Sequence, residues 1–266
     1  MSGGGTIGRV NSPVELAAGV TLVRAPNPGP MTLDGTNTFI LDAPGGALVV
    51  DPGPIDPEHL SVVAAVASVS AILLTHGHLD HSGGAAMLAE LTGAPVLARH
   101  PAHGAPLPGH GQTLAGVLEV VDAPGHTADS VCFRYRTRDP DGAAREYLLT
   151  GDTVLGRGTT VVSYPDGRLV DYLRTLDTLR VVIDQSPPDR LLPGHGPIRE
   201  DPAELLAFYR SHRLERLAQI RAALDAGDRS VAQVVRRVYA DVDHVLWPAA
   251  ERSVRAQLDY LSETHG

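Results

Sequence analysis

Thr75-His76-Gly77-His78-Leu79-Asp80-His81 puts four metal-capable side chains, His76, His78, Asp80 and His81, into seven positions. The stretch follows the apolar run Ala71-Ile72-Leu73-Leu74, which reads as a buried strand. It precedes Ser82-Gly83-Gly84-Ala85-Ala86, small residues that can open a helix. In extended backbone, residues two apart project to the same side, so His76 and His78 can grip one ion together. Asp80 and His81 turn away at the helix start, where they can hold a second ion. Ligand-capable groups packed this densely at a strand end are read as a metal site rather than as solvated surface.

Further ligands are offered by three glycine turns. His126 stands in Ala123-Pro124-Gly125-His126-Thr127, Asp152 in Leu149-Thr150-Gly151-Asp152-Thr153, and His195 in Leu192-Pro193-Gly194-His195-Gly196. Each lies beside Gly at the end of an apolar run, where the backbone can bend sharply and push one side chain into a cleft. One Gly-His turn is a weak signal. Three such turns after a His-x-His-x-Asp-His element are a strong one.

In order and residue type, residues 20–200 resemble the metallo-β-lactamase-fold hydrolases. The resemblance implies an α/β (α+β) fold, two packed sheets with helices outside, and two metal ions, usually zinc, at the sheet edge. Carried over by motif, His76, His78 and His126 hold the first ion, Asp80, His81 and His195 the second, and Asp152 bridges them. Donor chemistry agrees independently: imidazole nitrogens and carboxylates suit Zn²⁺, and a carboxylate has two oxygens for bridging, although Mn²⁺ and Fe also occupy such sites. Cys132, the single cysteine, falls in an apolar strand pattern and is read as core. Secreted β-lactamases of the family often use a cysteine ligand where this chain offers Asp152, which disfavours antibiotic hydrolysis.

Composition narrows the setting. The 266 residues suffice for one sizeable domain and a small one, and one cysteine excludes an intramolecular disulfide framework. Residues 1–10 lack a basic flank followed by an apolar run, and no stretch reaches membrane-spanning length, so a cytoplasmic protein without a membrane partner is expected. A net charge of −9 argues against indiscriminate coating of nucleic acid. All 22 basic residues are arginine, which excludes any mechanism that needs lysine.

Strand patterns occur at 20–23, 38–41, 47–51, 71–74, 95–98, 117–121, 131–135, 147–149 and 190–192, and helical patterns at 57–67, 84–91 and 170–183. Asp141-Gly142 marks a hairpin turn. Asp201-Pro202 reads as an N-cap with proline at the first helical position, opening an amphipathic helix that ends near Gly227. Ser230 can cap a second helix, 231–239, and a third covers 249–261. The expected division is therefore a catalytic body, 1–200, and a helical domain, 201–266.

Two segments narrow the resemblance. Phe208-Tyr209-Arg210-Ser211-His212-Arg213-Leu214-Glu215-Arg216 resembles the Tyr-x-x-His-Arg-x-x-Arg segment opening the winged-helix-like tail of the β-lactamase-like protein 2 group. Asn27 to Thr38 resembles that group's amino-terminal signature. Studied members include endoribonucleases selective for single strands, which makes single-stranded RNA the first-ranked substrate. The sequence stops at Gly266, where a winged helix would still need its hairpin, so a short or missing wing is expected.

The expected chemistry is a hydroxide shared by two ions, made available at about pH 7 and attacking phosphorus or carbonyl carbon. A helix start at His81 would add a dipole favourable to anions. Asp80 or Asp152 could pass a proton to the leaving group, but both are needed as ligands, so no separate general acid is named. Asp51, in Val49-Val50-Asp51-Pro52-Gly53, is expected to orient a ligand histidine or loop amides from behind. Tyr164 is a candidate for the substrate path. Thr127 and Thr153 are expected to fix loop geometry. His100, His103 and His110 are read as solvated loop residues, His59, His244 and His265 as structural or surface, and His212 as a packing residue. A thioesterase of the hydroxyacylglutathione hydrolase type is the alternative function, and a non-catalytic metal-binding regulator the second. The apolar tail helices would also serve a homodimer.

Overall fold

A computed structural model describes residues 12–264; residues 1–10, read for a targeting signal, and His265 lie outside that range. The first strands are β1 (Val14–Ala17), β2 (Val20–Arg24), β3 (Asn37–Leu41), β4 (Ala47–Val50), β5 (Val69–Leu73), β6 (Val96–Ala98) and β7 (Ala105–Pro106), which form one sheet in that order. Pairing is antiparallel from β1 to β4 and parallel from β4 to β7. Helix α1 (Pro57–Val66) joins β4 to β5, while the single turn α2 (Leu79–Ser82) and α3 (Ala85–Thr92) join β5 to β6. The second sheet holds β8 (Thr113–Leu114), β9 (Leu118–Asp122), β10 (Val131–Arg138), β11 (Ala144–Gly151) and β12 (Arg190–Pro193), in spatial order β12-β11-β10-β9-β8. Helix α4 (Leu169–Gln185) links the parallel pair β11 and β12, and α5 (Pro202–Asp225), α6 (Val231–Val238) and α7 (Trp247–Thr264) follow.

Strand alternation builds four layers. Phe39, Leu41, Leu48, Val50, Ala71 and Leu73 of the first sheet meet Val131, Phe133, Tyr135, Tyr147, Leu149 and Leu192 of the second in a central core. Their neighbours point the other way, since successive strand residues face opposite sides. Ile40, Val49 and Ile72 pack under α1 and α3. Cys132, Leu148 and Leu191 pack under α4 and the last three helices. The fold is an αββα sandwich, as the patterns predicted. Cys132 is fully buried, and burial pushes its thiol up to about 12, which makes it an inert core group.

Differences from the patterns have local causes. β10 and β11 run past Tyr135 to Arg138 because Arg136 sits between Glu119 and Glu146 on a solvent-facing ladder, where no apolar alternation marks a strand. β1, β7 and β8 are too short to show a period. Asp201 takes the N-cap position of α5, but its carboxylate pairs with Arg199 instead of capping. Ser230 does cap α6, in a reciprocal box with Gln233. Among the described residues no strand follows β12, and no helix is long and apolar enough to cross a membrane.

Candidate metal centre

The seven expected ligands converge at one edge of the sandwich. His76 and His78 follow β5, His126 follows β9, Asp152 follows β11, His195 follows β12, and Asp80 and His81 sit on α2. His76 Nε2 lies 3.0 Å from His78 Nδ1, which lies 3.1 Å from His126 Nε2. His195 Nε2 lies 3.1 Å from His81 Nε2 and 3.2 Å from Asp80 Oδ2. Asp152 stands between the two sets: Oδ1 is 3.3 Å from His81 Nε2 and 3.5 Å from His195 Nε2, while Oδ2 is 3.8 Å from His126 Nε2. In each trio the ligand atoms lie within 4.8 Å of one another.

Hydrogen bonds behind the histidines fix which nitrogens face inward. Thr75 Oγ1 donates to Asp51 Oδ2 at 2.7 Å, so it accepts from His76 Nδ1 at 3.0 Å. His81 Nδ1 donates to the same Asp51 oxygen at 2.8 Å. His126 Nδ1 donates to Val161 O at 2.6 Å, and His195 Nδ1 faces Gly35 O at 3.3 Å. With the Nδ1 protons committed outward, the Nε2 atoms of His76, His81, His126 and His195 point into one space. Imidazole nitrogens held about 3 Å apart repel unless a proton or a cation lies between them. Asp152 Oδ1 is also buried without a hydrogen-bond partner. The donor set therefore fits a pair of divalent cations.

Electrostatics follow the same layout. Burial, and then the neighbouring His81 and His126, hold His76 well below its ordinary range; burial takes His126 down to about 4. Burial alone would lower His81, but Asp152 and Asp51 outweigh it and raise the group well above its usual value. Asp152 shows the converse: burial is overcome by His195 and His81, which hold its carboxyl well below the ordinary range. Gly194 must lack a side chain, since a Cβ there would stand 2.7 Å from His81 Cε1 and 2.9 Å from Asp152 Oδ1.

Asp51 occupies the place expected of it, buried behind His81 and also accepting from Thr75 N at 2.8 Å. Tyr164 does not line the cavity at the site; it packs, partly buried, against the core beneath the tail helices. His212 packs against Phe208, with ring centres 6.0 Å apart, but does more than pack. It is half-buried on the wall of a cavity of about 390 Å³ that also contains His126 and Asp152, with Nε2 3.4 Å from Thr159 Oγ1. The dipole expected at His81 is reduced to that of one turn, because α2 has only four residues. His100 and His103 border a smaller cleft of about 260 Å³ on the far side of His78, with Asp129 and Asp166. Thr127 Oγ1 bonds Asp129 and Ser130 there, while His59 is buried and His110 meets the Asp122 amide. A wider groove of about 800 Å³ beside the β10–β11 hairpin holds none of the ligands.

Supports that pattern reading left without a role come from distant segments. Asn37 Nδ2 donates to Pro193 O and Gly196 O, both at 2.9 Å, gripping the His195 turn from either side. Thr36 Oγ1 donates to Asp80 O at 3.0 Å. From α5, Tyr209 Oη accepts from Leu155 N at 2.8 Å, and Arg213 donates to Thr160 O, next to the carbonyl that holds His126. From α4, Tyr172 Oη donates to Thr153 O at 2.6 Å. The Asn27–Thr38 and Tyr209-x-x-His212-Arg213 segments were the only sequence signal for these contacts.

Fold and ligand arrangement together define a metallo-β-lactamase-fold hydrolase, and the chain belongs to the metallo-β-lactamase superfamily. The superfamily model matches residues 31–120, and that of the beta-lactamase associated winged helix domain matches 230–264. A Beta-lactamase-like protein 2 homolog of Drosophila melanogaster is 31% identical, over 94% of this chain and 89% of that protein. An Atrochrysone carboxyl ACP thioesterase of Aspergillus fumigatus is 34% identical, over 70% of this chain and 58% of that protein. Among solved structures, a metallo-beta-lactamase family protein from Thermus thermophilus shares the fold with a TM-score of 0.73 at 22% identity, over 94% of this chain and 95% of that one. Another, solved in a di-iron-bound form, gives a TM-score of 0.51 at 29% identity, over 66% of this chain and 94% of that one.

Proposed function

We propose that the chain is a dinuclear metal-dependent hydrolase of compact esters or thioesters. His76, His78 and His126 would hold one ion and Asp80, His81 and His195 the other, with Asp152 placed between the two sets. Zinc suits the donor set, and the di-iron-bound relative keeps iron as the alternative. Bound there, the ions would supply Lewis acidity, lowering the pKa of water and offsetting charge that develops on the substrate. The chain's own part is orientation: Asp51, Thr75 and the Val161 and Gly35 carbonyls hold the imidazoles in the ligating tautomer.

The cavity beside His126 and Asp152 carries the choice of substrate. At about 390 Å³ it is of small-molecule size, and Leu155, Leu246, Ala249 and Ala250 make part of its wall apolar, as an acyl chain requires. In this reading the three tail helices, α5 to α7, form a cover over the catalytic body, excluding water from the bound acyl group. The likeness to an ACP thioesterase supports it. Near full-length likeness to Beta-lactamase-like protein 2 homologs supports a second reading, cleavage of single-stranded RNA.

One experiment addresses both. Zinc-loaded protein and its Asp152→Ala variant are assayed against a series of acyl thioesters and against an end-labelled single-stranded RNA. Thioester turnover lost in Asp152→Ala, beside intact RNA, supports the first reading. RNA cutting lost in the variant, without thioester turnover, replaces it with the second. Activity unchanged in Asp152→Ala would sink the dinuclear assignment itself.

A further inference from the structure

The cavity beside the metal-site loops carries positive charge that its walls do not neutralise. Its lining holds Arg157, Arg213 and Arg216 against one carboxylate, Asp152, at the ligand end. Arg157 turns outward to Asp34. Arg213 is only 4% exposed, and among the described residues neither it nor Arg216 forms an ion pair. Their known partners are neutral: Arg213 donates to Thr160 O, and Arg216 Nη1 to Val238 O at 2.7 Å and Gln219 Oε1 at 2.9 Å. Both Nε–H groups are buried without a partner. The Arg213 guanidinium lies 5.0 Å from the Tyr172 ring centre and that of Arg216 4.4 Å from Tyr239, so rings cover the flat faces while Nε–H edges stay unmet.

A guanidinium as buried as that of Arg213 is strongly unfavourable without an anion, and the unmet Nε–H of the half-buried Arg216 at the same wall adds to this. Burial, and then these two cations, hold His212 below its ordinary range, so it offers the wall hydrogen bonds and no third charge. The chain as a whole is acidic, at −9, which makes a cationic wall here a local feature.

We propose that the helical end of this cavity is an anion subsite, in which Arg213 and Arg216 take a carboxylate or phosphate carried by the substrate. The bond to be cleaved then lies at His126 and Asp152, with the apolar wall between the two ends. This names the substrate class of the proposed hydrolase as anionic esters or thioesters, and it rests on that reading.

Two matched pairs of thioesters test it. Hexanoyl and adipoyl thioesters of N-acetylcysteamine differ by a carboxylate on the acyl side. Hexanoyl thioesters of pantetheine and 4′-phosphopantetheine differ by a phosphate on the thiol side. Kd is measured by calorimetry on metal-free full-length protein, and kcat/KM on the zinc-loaded protein. The charged member of at least one pair is expected to bind about tenfold or more tightly. Arg216→Met should abolish that preference, and Arg216→Lys, which keeps the charge, should retain part of it. No preference in either pair overturns the inference whatever the variants do, and so does a preference that survives both Arg216→Met and Arg213→Met. Charge-selective binding without turnover would refute the thioesterase reading and leave the subsite standing, whereas turnover without selectivity would do the reverse.

Discussion

Replacing Asp51 by Asn isolates what one carboxylate does for two ligands. Asp51 is 1% exposed and accepts from Thr75 N, Thr75 Oγ1 and His81 Nδ1 at 2.8, 2.7 and 2.8 Å. Through Thr75 Oγ1 it also sets the direction of the hydrogen bond from His76 Nδ1. One carboxylate thereby orients a histidine from each trio. Its backbone sits at φ 52°, which Asn tolerates as well as Asp, so the substitution changes chemistry and not shape. An amide accepts through one atom only. With its oxygen toward His81 it turns an NH₂ against the Thr75 N–H; flipped, it abandons His81 and Thr75 Oγ1. Either arrangement leaves a buried donor unmet, at about 1–3 kcal/mol. Removing the group that orients a ligand histidine typically weakens metal affinity by about 10–100-fold. Zinc Kd in Asp51→Asn, measured against a chromophoric chelator, should rise by that factor. The metal-free variant should melt several degrees lower, at about 2–4 °C per kcal/mol for a chain of this size. Unchanged zinc affinity beside a lowered melting temperature would refute the argument and leave Asp51 as a strand-ending turn.

Tyr209→Phe removes the acceptor of the Leu155 amide and should cost about 1–3 kcal/mol in urea denaturation of the metal-free protein; a difference below about 0.5 kcal/mol would show that α5 does not brace this segment. Gly125→Ala should block folding to soluble protein, because φ is 141° and a Cβ would stand 2.3 Å from Tyr172 Cα. Gly142→Ala, at φ 87° in open space, should lose only about 1–2 kcal/mol, so solubility and melting of the two variants separate strain from clash. His59 supplies a pH dependence. Thr38 Oγ1 donates to Asp51 O, so it accepts from His59 Nε2, and His59 Nδ1 is buried without a partner. Burial lowers this histidine, so below about pH 6.5 the unfolded chain binds a proton that the folded chain refuses. Stability is full above that value and falls as pH drops through it, by up to about 1.4 kcal/mol per unit until the folded group itself titrates. Denaturation of metal-free protein between pH 7.5 and 5.5 should show a shallower loss in His59→Gln; equal slopes would rule the contribution out.

The sequence by itself determined the longer strands of both sheets and the types and order of the candidate ligands. Alternation in residues 38–41, 47–50 and 71–74 assigns each side chain to a face, because strand period is a local property of the backbone. His76 to His81 are close in space because they are close in sequence. His126, Asp152 and His195 were marked by glycine turns after apolar runs, a signal equally local. Tertiary structure alone decided what lies behind and above those ligands. Asn37 grips a turn 156 positions away, and α5, packed against α4, places His212 on the cavity wall. Tyr164 instead packs against the core. The charge of Arg213 and Arg216 was legible in the sequence, but that among the described residues no carboxylate pairs with them depends on which helices meet there. Local periodicity encodes which way a side chain leaves its own strand or helix, and long-range packing decides what it meets.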